Sequence, residues 1–133
     1  MLSKDLASKS VEELAPLIEN KSVSPVEVTK AVLDQAEATQ EQVNSYMVIY
    51  REDALEEAEK AETEIHSGIY RGMYHGIPMA IKDIIYMKDK VTTMSSKIHK
   101  DFVSDYDATV VSKLKEAGVV FTGKLSLHEY ARE

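Results

Sequence analysis

Lys82 is the residue with the clearest potential for chemistry. It stands in Ile77-Pro78-Met79-Ala80-Ile81-Lys82-Asp83-Ile84-Ile85, an apolar run broken by a single Lys-Asp pair. An ammonium group set among such side chains loses solvation, which disfavours its charged form and moves its pKa down toward values usable for proton transfer. The same placement suits a lysine that snorkels to water from a strand end or pairs with Asp83, and the residues alone leave both readings open. A lysine base also needs a nucleophile to activate. Thr92-Thr93-Met94-Ser95-Ser96-Lys97 offers hydroxyls, although a Ser-rich stretch beside a strand is more often a turn whose side chains bond their own backbone.

Other chemistries find little support. His66, His75, His99 and His128 share no metal-ligand spacing and read as surface residues, so no metal and no cofactor is implied. Gly118 to Lys124 contains two glycines and a lysine but lacks the glycine spacing and the following Ser or Thr of a phosphate-binding loop. The chain has no cysteine, which excludes disulfides, thiolate metal sites and a cysteine nucleophile.

The elements that must hold Lys82 follow from caps and periodicity. Ser10 and Glu13 form a capping-box pattern before a helix ending near Asn20, and Ser24, Pro25 and Glu27 open a second helix to about Gln40, buried through Val28, Ala31, Val32 and Ala36. Asn44–Tyr50 is aromatic and β-branched and reads as a short strand. From Asp53 to Ser67, Ala54, Ala58, Ala61 and Ile65 form a narrow stripe on a highly charged helix, with Gly68 placed for a left-handed C-cap. Ile77–Ile85 is the strand that carries Lys82, and Pro78 confines it to a strand start or an edge. Val91–Met94 is a candidate second short strand. Asp107 is placed to cap a helix with Val110, Leu114 and Ala117 facing inward, and Val119–Thr122 is the next strand. Strand, helix and strand in that order predict an α/β layer with a crossover helix and parallel pairing of the two strands.

Length and charge set the frame. At 133 residues, with 44% hydrophobic and 29% charged residues, the chain has the composition of one globular domain or a piece of one. Its net charge of -7 repels phosphate backbones and anionic lipid, and 15 of the 23 acidic residues fall within the first 67 positions. No direct nucleic-acid or membrane partner is therefore expected. No run of apolar residues is long enough to span a bilayer and no secretory leader is evident, so a cytoplasmic location is expected.

Several blocks together resemble the amidase signature family: Gly76-Ile77-Pro78-Met79-Ala80-Ile81-Lys82-Asp83, Thr92-Thr93-Met94-Ser95-Ser96-Lys97, Tyr106-Asp107-Ala108-Thr109-Val110-Val111, Ala117-Gly118 with Gly123-Lys124, and His128-Glu129-Tyr130-Ala131. Ser24-Pro25-Val26-Glu27-Val28 and Asn44-Ser45-Tyr46 extend the likeness over nearly the whole chain. The resemblance implies an α/β fold, the N-terminal part of the amidase signature fold, with three helices packed beside a small mixed sheet. It implies one incomplete domain over residues 1–133, helical over 1–70 and sheet-containing over 71–133. It further implies amide hydrolysis by a Ser, cis-Ser, Lys triad in which Lys82 is the lysine, and a small-molecule amide as substrate of the complete enzyme. Both serines of such enzymes lie in a Gly/Ser-rich segment further along, so Ser95 and Ser96 are not the nucleophile and this chain is expected to be inactive alone.

The chain departs from the family pattern at Lys82-Asp83-Ile84 in place of Lys-Asp-Asn, at Ser95 before Ser96 in place of Gly-Ser, and at Gly123-Lys124-Leu125-Ser126 in place of Gly-Lys-x-Asn. The wording Leu127-His128-Glu129-Tyr130 is nearer to stand-alone amidases than to the A chains of glutamyl-tRNA(Gln) amidotransferases, which are the alternative. A non-catalytic self-associating module is a third possibility. Strands apolar on both faces, with three N-terminal helices to cover them, predict a homo-oligomer or a covering C-terminal part, with Ile81, Ile84, Ile85, Val120 or Phe121 at or near the contact.

Overall fold

The computed structural model describes residues 3–43, 45–92 and 102–126. Its elements are α1 (Ser3–Ala7), α2 (Val11–Glu19), α3 (Pro25–Val43), β1 (Tyr46–Ile49), α4 (Arg51–His66), β2 (Pro78–Lys82), α5 (Thr109–Glu116) and β3 (Val120–Leu125). The local start signals work as their chemistry requires. Ser10 Oγ accepts from Glu13 N–H at 3.2 Å while Glu13 Oε1 accepts from Ser10 N–H at 3.1 Å, and Ser24 Oγ accepts from Glu27 N–H at 3.0 Å. Gly68 closes the α4 end in the left-handed region at φ +96.

The three strands form one mixed sheet in the order β1-β3-β2, with β3 antiparallel to β1 and parallel to β2. Parallel pairing of β2 with β3 follows from the connection through α5, as the strand-helix-strand order predicts. Gly123 lies where β1 comes closest: a Cβ there would sit on the Val48 carbonyl oxygen, with Tyr46 Cδ1 at 2.9 Å. The lack of a side chain is what lets the two backbones pair at this point.

Side chains of β3 alternate between two cores. Val120 packs with Leu33 of α3 and with Ala54 and Ala58 of α4, whose small size lets that charged helix lie close on the sheet. Phe121 packs on the other face with Ile81, Met87, Val111 and Val119. Leu6, Leu14 and Ile18 of α1 and α2 form a third cluster with Val28, Ile65 and Ile77.

Three expectations need correction. The buried face of the helix after Asp107 carries Val111 rather than Val110, which is 48% exposed, while Leu114 packs inward as expected. Asp107 does not cap it, because its carboxylate is taken by tertiary partners, Lys88 N–H at 2.7 Å and Lys115 Nζ at 2.8 Å, and the capping position falls to the extended Ala108. The strand carrying Lys82 ends at that residue, because Ile85 N–H turns back to the Lys82 carbonyl at 3.1 Å. On the face of the sheet away from the N-terminal helices, Val111 of α5 packs on Phe121, and Val120 and Phe121 are both buried within the chain. Of the candidate second strand, Val91 makes an isolated bridge to Val103, and residues 93–94 lie outside the described residues.

Candidate active site

The carboxyl ends of the parallel pair β2 and β3 bring two lysines together in sequence register. Lys82 pairs with Leu125 and Ile81 with Lys124. Strand alternation turns Ile81 inward, to 7% exposure, and Lys82 outward, where it is exposed. Among the described residues Lys82 is thus not enclosed by its apolar neighbours: Met79 and Ile81 lie on the opposite face of the pleat, and Ile84 and Ile85 in the turn that follows.

The lysine that is desolvated is Lys124, which sequence reasoning did not single out. Its side chain is completely buried, and its ammonium donates to the Ile85 carbonyl at 2.6 Å and to Thr92 Oγ1 at 2.9 Å, with Asp83 Oδ1 at 3.7 Å. Asp83 is 2% exposed and Thr92 is fully buried. Burial pushes the Lys124 ammonium below the usual lysine range, and the Asp83 carboxylate opposes that fall. A signal was present: Gly123-Lys124 continues Val119-Val120-Phe121-Thr122 without a break, so a strand that buries Val120 and Phe121 carries the lysine inward too.

Tyr50 lies next to this pair. Its hydroxyl is buried with no hydrogen-bond partner among the described residues, and burial, reinforced by Asp83 and Asp53, pushes its ionisation well above the ordinary tyrosine range. Lys90 Nζ sits 4.5 Å from the centre of the Tyr50 ring and pairs with Asp53. Tyr50, Asp83, Lys90, Met47 and Val91 line a cleft of about 530 Å³.

His75 corrects another expectation. It is 1% exposed rather than a surface residue, because the loop before β2 folds onto α4. Its Nδ1 accepts the Arg71 N–H at 3.0 Å, which places the proton on Nε2, and Nε2–H then donates to Glu64 Oε1 at 3.0 Å. Gly118 is required beside it, since a Cβ there would run into the imidazole. His66 is exposed. Ser95, Ser96, His99, His128 and the block Glu129-Tyr130-Ala131 lie outside the described residues.

The family model for Amidase matches residues 27–132. The chain belongs to the amidase family. It is 43% identical over 122 residues to the A chain of the glutamyl-tRNA(Gln) amidotransferase of Carboxydothermus hydrogenoformans, covering 92% of this chain and 25% of that protein. It is 39% identical over 131 residues to a putative amidase, AmiD, of Mycobacterium bovis, covering 98% of this chain and 28% of the relative. Among solved structures, the native peptide amidase of Stenotrophomonas maltophilia superposes with a TM-score of 0.89 at 28% identity, over 96% of this chain and 26% of that enzyme. This member of the amidase family thus spans about a quarter of the length of the relatives it matches, and those relatives fall on both sides of the division between amidases and amidotransferase components. Among the described residues, no helix is long and apolar enough to cross a membrane.

Proposed function

We propose that residues 1–133 form the N-terminal part of an amidase and supply Lys82 as the lysine of a Ser, cis-Ser, Lys site that hydrolyses the C–N bond of a small-molecule amide. The observation that carries this reading is the position of Lys82: exposed at the carboxyl end of a parallel strand, which is where open α/β sheets place their ligands, on a backbone whose opposite face is closed by Asp83 and Lys124. In the complete enzyme, downstream segments would cover Lys82, remove water from it and hold it neutral. It would then take the proton of a bridging serine, which in turn activates the nucleophilic serine.

The test is a comparison of Lys82→Ala and Lys82→Arg in the complete enzyme. Arginine keeps the charge and cannot act as a base at working pH, so both variants should lose activity equally. Retained amide hydrolysis in the arginine variant would overturn the assignment. The 133-residue chain alone should show no turnover on amides or glutamine above its own Lys82→Ala control.

The second reading is the A chain of a glutamyl-tRNA(Gln) amidotransferase, favoured by identities of 45% and 43% to two such chains. It predicts glutamine as the amide and stable partner chains. In either case the cleft walls, with Met47 47% and Val48 42% exposed, and the half-buried Ile84 and Ile85 are available to a downstream part of the enzyme or to a second copy of the chain. Sedimentation equilibrium of the chain distinguishes self-association from a monomer awaiting its remainder.

A further inference from the structure

Two lysines meet the end of the β2/β3 pair, and their surroundings divide them. Lys82 is exposed and Lys124 is fully buried, with its ammonium engaged by Ile85 O, Thr92 Oγ1 and Asp83 Oδ1. All three partners belong to residues 83–92, the segment that leaves β2 directly after Lys82. Two backbone bonds close the same corner: Asp83 N–H donates to Leu125 O at 3.1 Å, and Ile85 N–H donates to Lys82 O at 3.1 Å. The lysine that fastens the turn is thus one residue before the residue that fastens Asp83.

An apolar residue would fill the space beside Ile81 without the desolvation cost of an ammonium, so packing alone does not account for a lysine at 124. A buried cation with several fixed acceptors instead selects one arrangement of those acceptors. Removing it would take the ammonium away from the buried Ile85 carbonyl and Thr92 hydroxyl that accept from it. Lys124 itself is fully buried.

We propose that Lys124 is a positioning residue for the amidase reaction: it clamps the turn after β2 to β3 and so holds the backbone from which Lys82 projects. The role rests on the assignment of Lys82 as the base, and it acts through the backbone rather than on the substrate.

The test has two parts, so that failure of the clamp and failure of the assignment can be told apart. Amide hydrogen exchange is measured by NMR on the chain itself, in Lys124→Met and in the Lys124→Met/Asp83→Asn double variant, which removes the negative charge of Asp83 together with the ammonium. In both, the Asp83 and Ile85 amides should exchange about tenfold faster or more, while those of Val28 in α3 and Ala58 in α4 stay within about twofold. If the single variant loses protection everywhere, the double variant decides. Normal protection of Asp83 and Ile85 in the double variant would show that Lys124 only neutralises Asp83, and would overturn the clamp. In the complete enzyme, Lys124→Met should lower kcat by about 100-fold, the scale of an ångström-sized misplacement, with KM within about twofold. An unchanged kcat overturns the positioning role. Lys82→Ala is measured alongside: if it leaves kcat intact, the assignment of Lys82 and the positioning role fall together, while the exchange data still report the clamp.

Discussion

Replacing Gly123 with alanine tests how closely β1 and β3 pair, because the only change is one methyl group placed between two backbones. That Cβ would fall on the Val48 carbonyl oxygen, with Tyr46 Cδ1 at 2.9 Å and Ile49 Cα at 3.1 Å. Two of these neighbours are backbone atoms, so no side-chain rotation relieves the clash and β1 must move by about an ångström to restore a normal contact. The bonds that flank the point are Tyr50 N–H to Thr122 O and Ser126 N–H to Ser45 O, both at 2.8 Å. Weakening two or three such bonds at ~1 kcal/mol each, with the strain that remains from overpacking, gives a loss of about 2–4 kcal/mol. At ~2.1 cal/mol/K of unfolding entropy per residue, a chain of this size loses about 3–4 °C of Tm per kcal/mol, so the expected shift is about 7–15 °C. The assay is thermal and urea unfolding by circular dichroism, with Gly68→Ala as the control. Gly68 has a left-handed φ of +96 but nothing within 4 Å of the added methyl, so it should cost only about 1–2 kcal/mol of backbone strain. Gly123→Ala melting within about 3 °C of wild type would refute the close pairing of β1 on β3.

Two further outcomes concern carboxylates on α4. Glu57 Oε1 accepts the Phe121 N–H at 3.1 Å, and burial holds its carboxyl above the usual range, so the ionised form costs stability at neutral pH and that cost disappears as pH falls through the raised value. Glu57→Gln should therefore raise the urea midpoint at pH 7 with the difference closing in acid, whereas Glu57→Leu, which leaves the Phe121 N–H unpaired, should lose about 1–3 kcal/mol; a glutamine variant less stable than wild type at pH 7 would contradict this. Glu64 lies the other way: hydrogen bonds from Arg71, then from His75, hold it down at about 2 against an ordinary value of 4.5. Its contribution to stability is present above pH 4.5 and is lost as pH falls from there toward 2. A titration of the melting temperature should show that acid slope in wild type and a shallower one in Glu64→Gln; equal slopes would show that the Arg71 and His75 contacts do not form in solution.

Much of this fold is written locally. The caps at Ser10 and Ser24, the alanine stripe of α4 and the glycine after it depend on contacts within a few residues, and the chain order of β2, α5 and β3 leaves parallel pairing as the outcome for that connection. The family blocks are also legible in the residues. Burial is different in kind, because a side chain's exposure depends on which element arrives to cover it. Val110 and Val111 are equally apolar, and only the docking of α5 on Phe121 selects the second. His75 looks like a loop histidine until Arg71 and Glu64 close on it. Lys82 and Lys124 each follow an apolar strand, yet the pleat sends one out and the other in, and the buried one finds its three partners 32 to 41 residues away in the chain. No pattern around position 124 could name those partners, because they become neighbours only when β3 pairs with β2 and the turn beyond Lys82 folds over the end of the sheet.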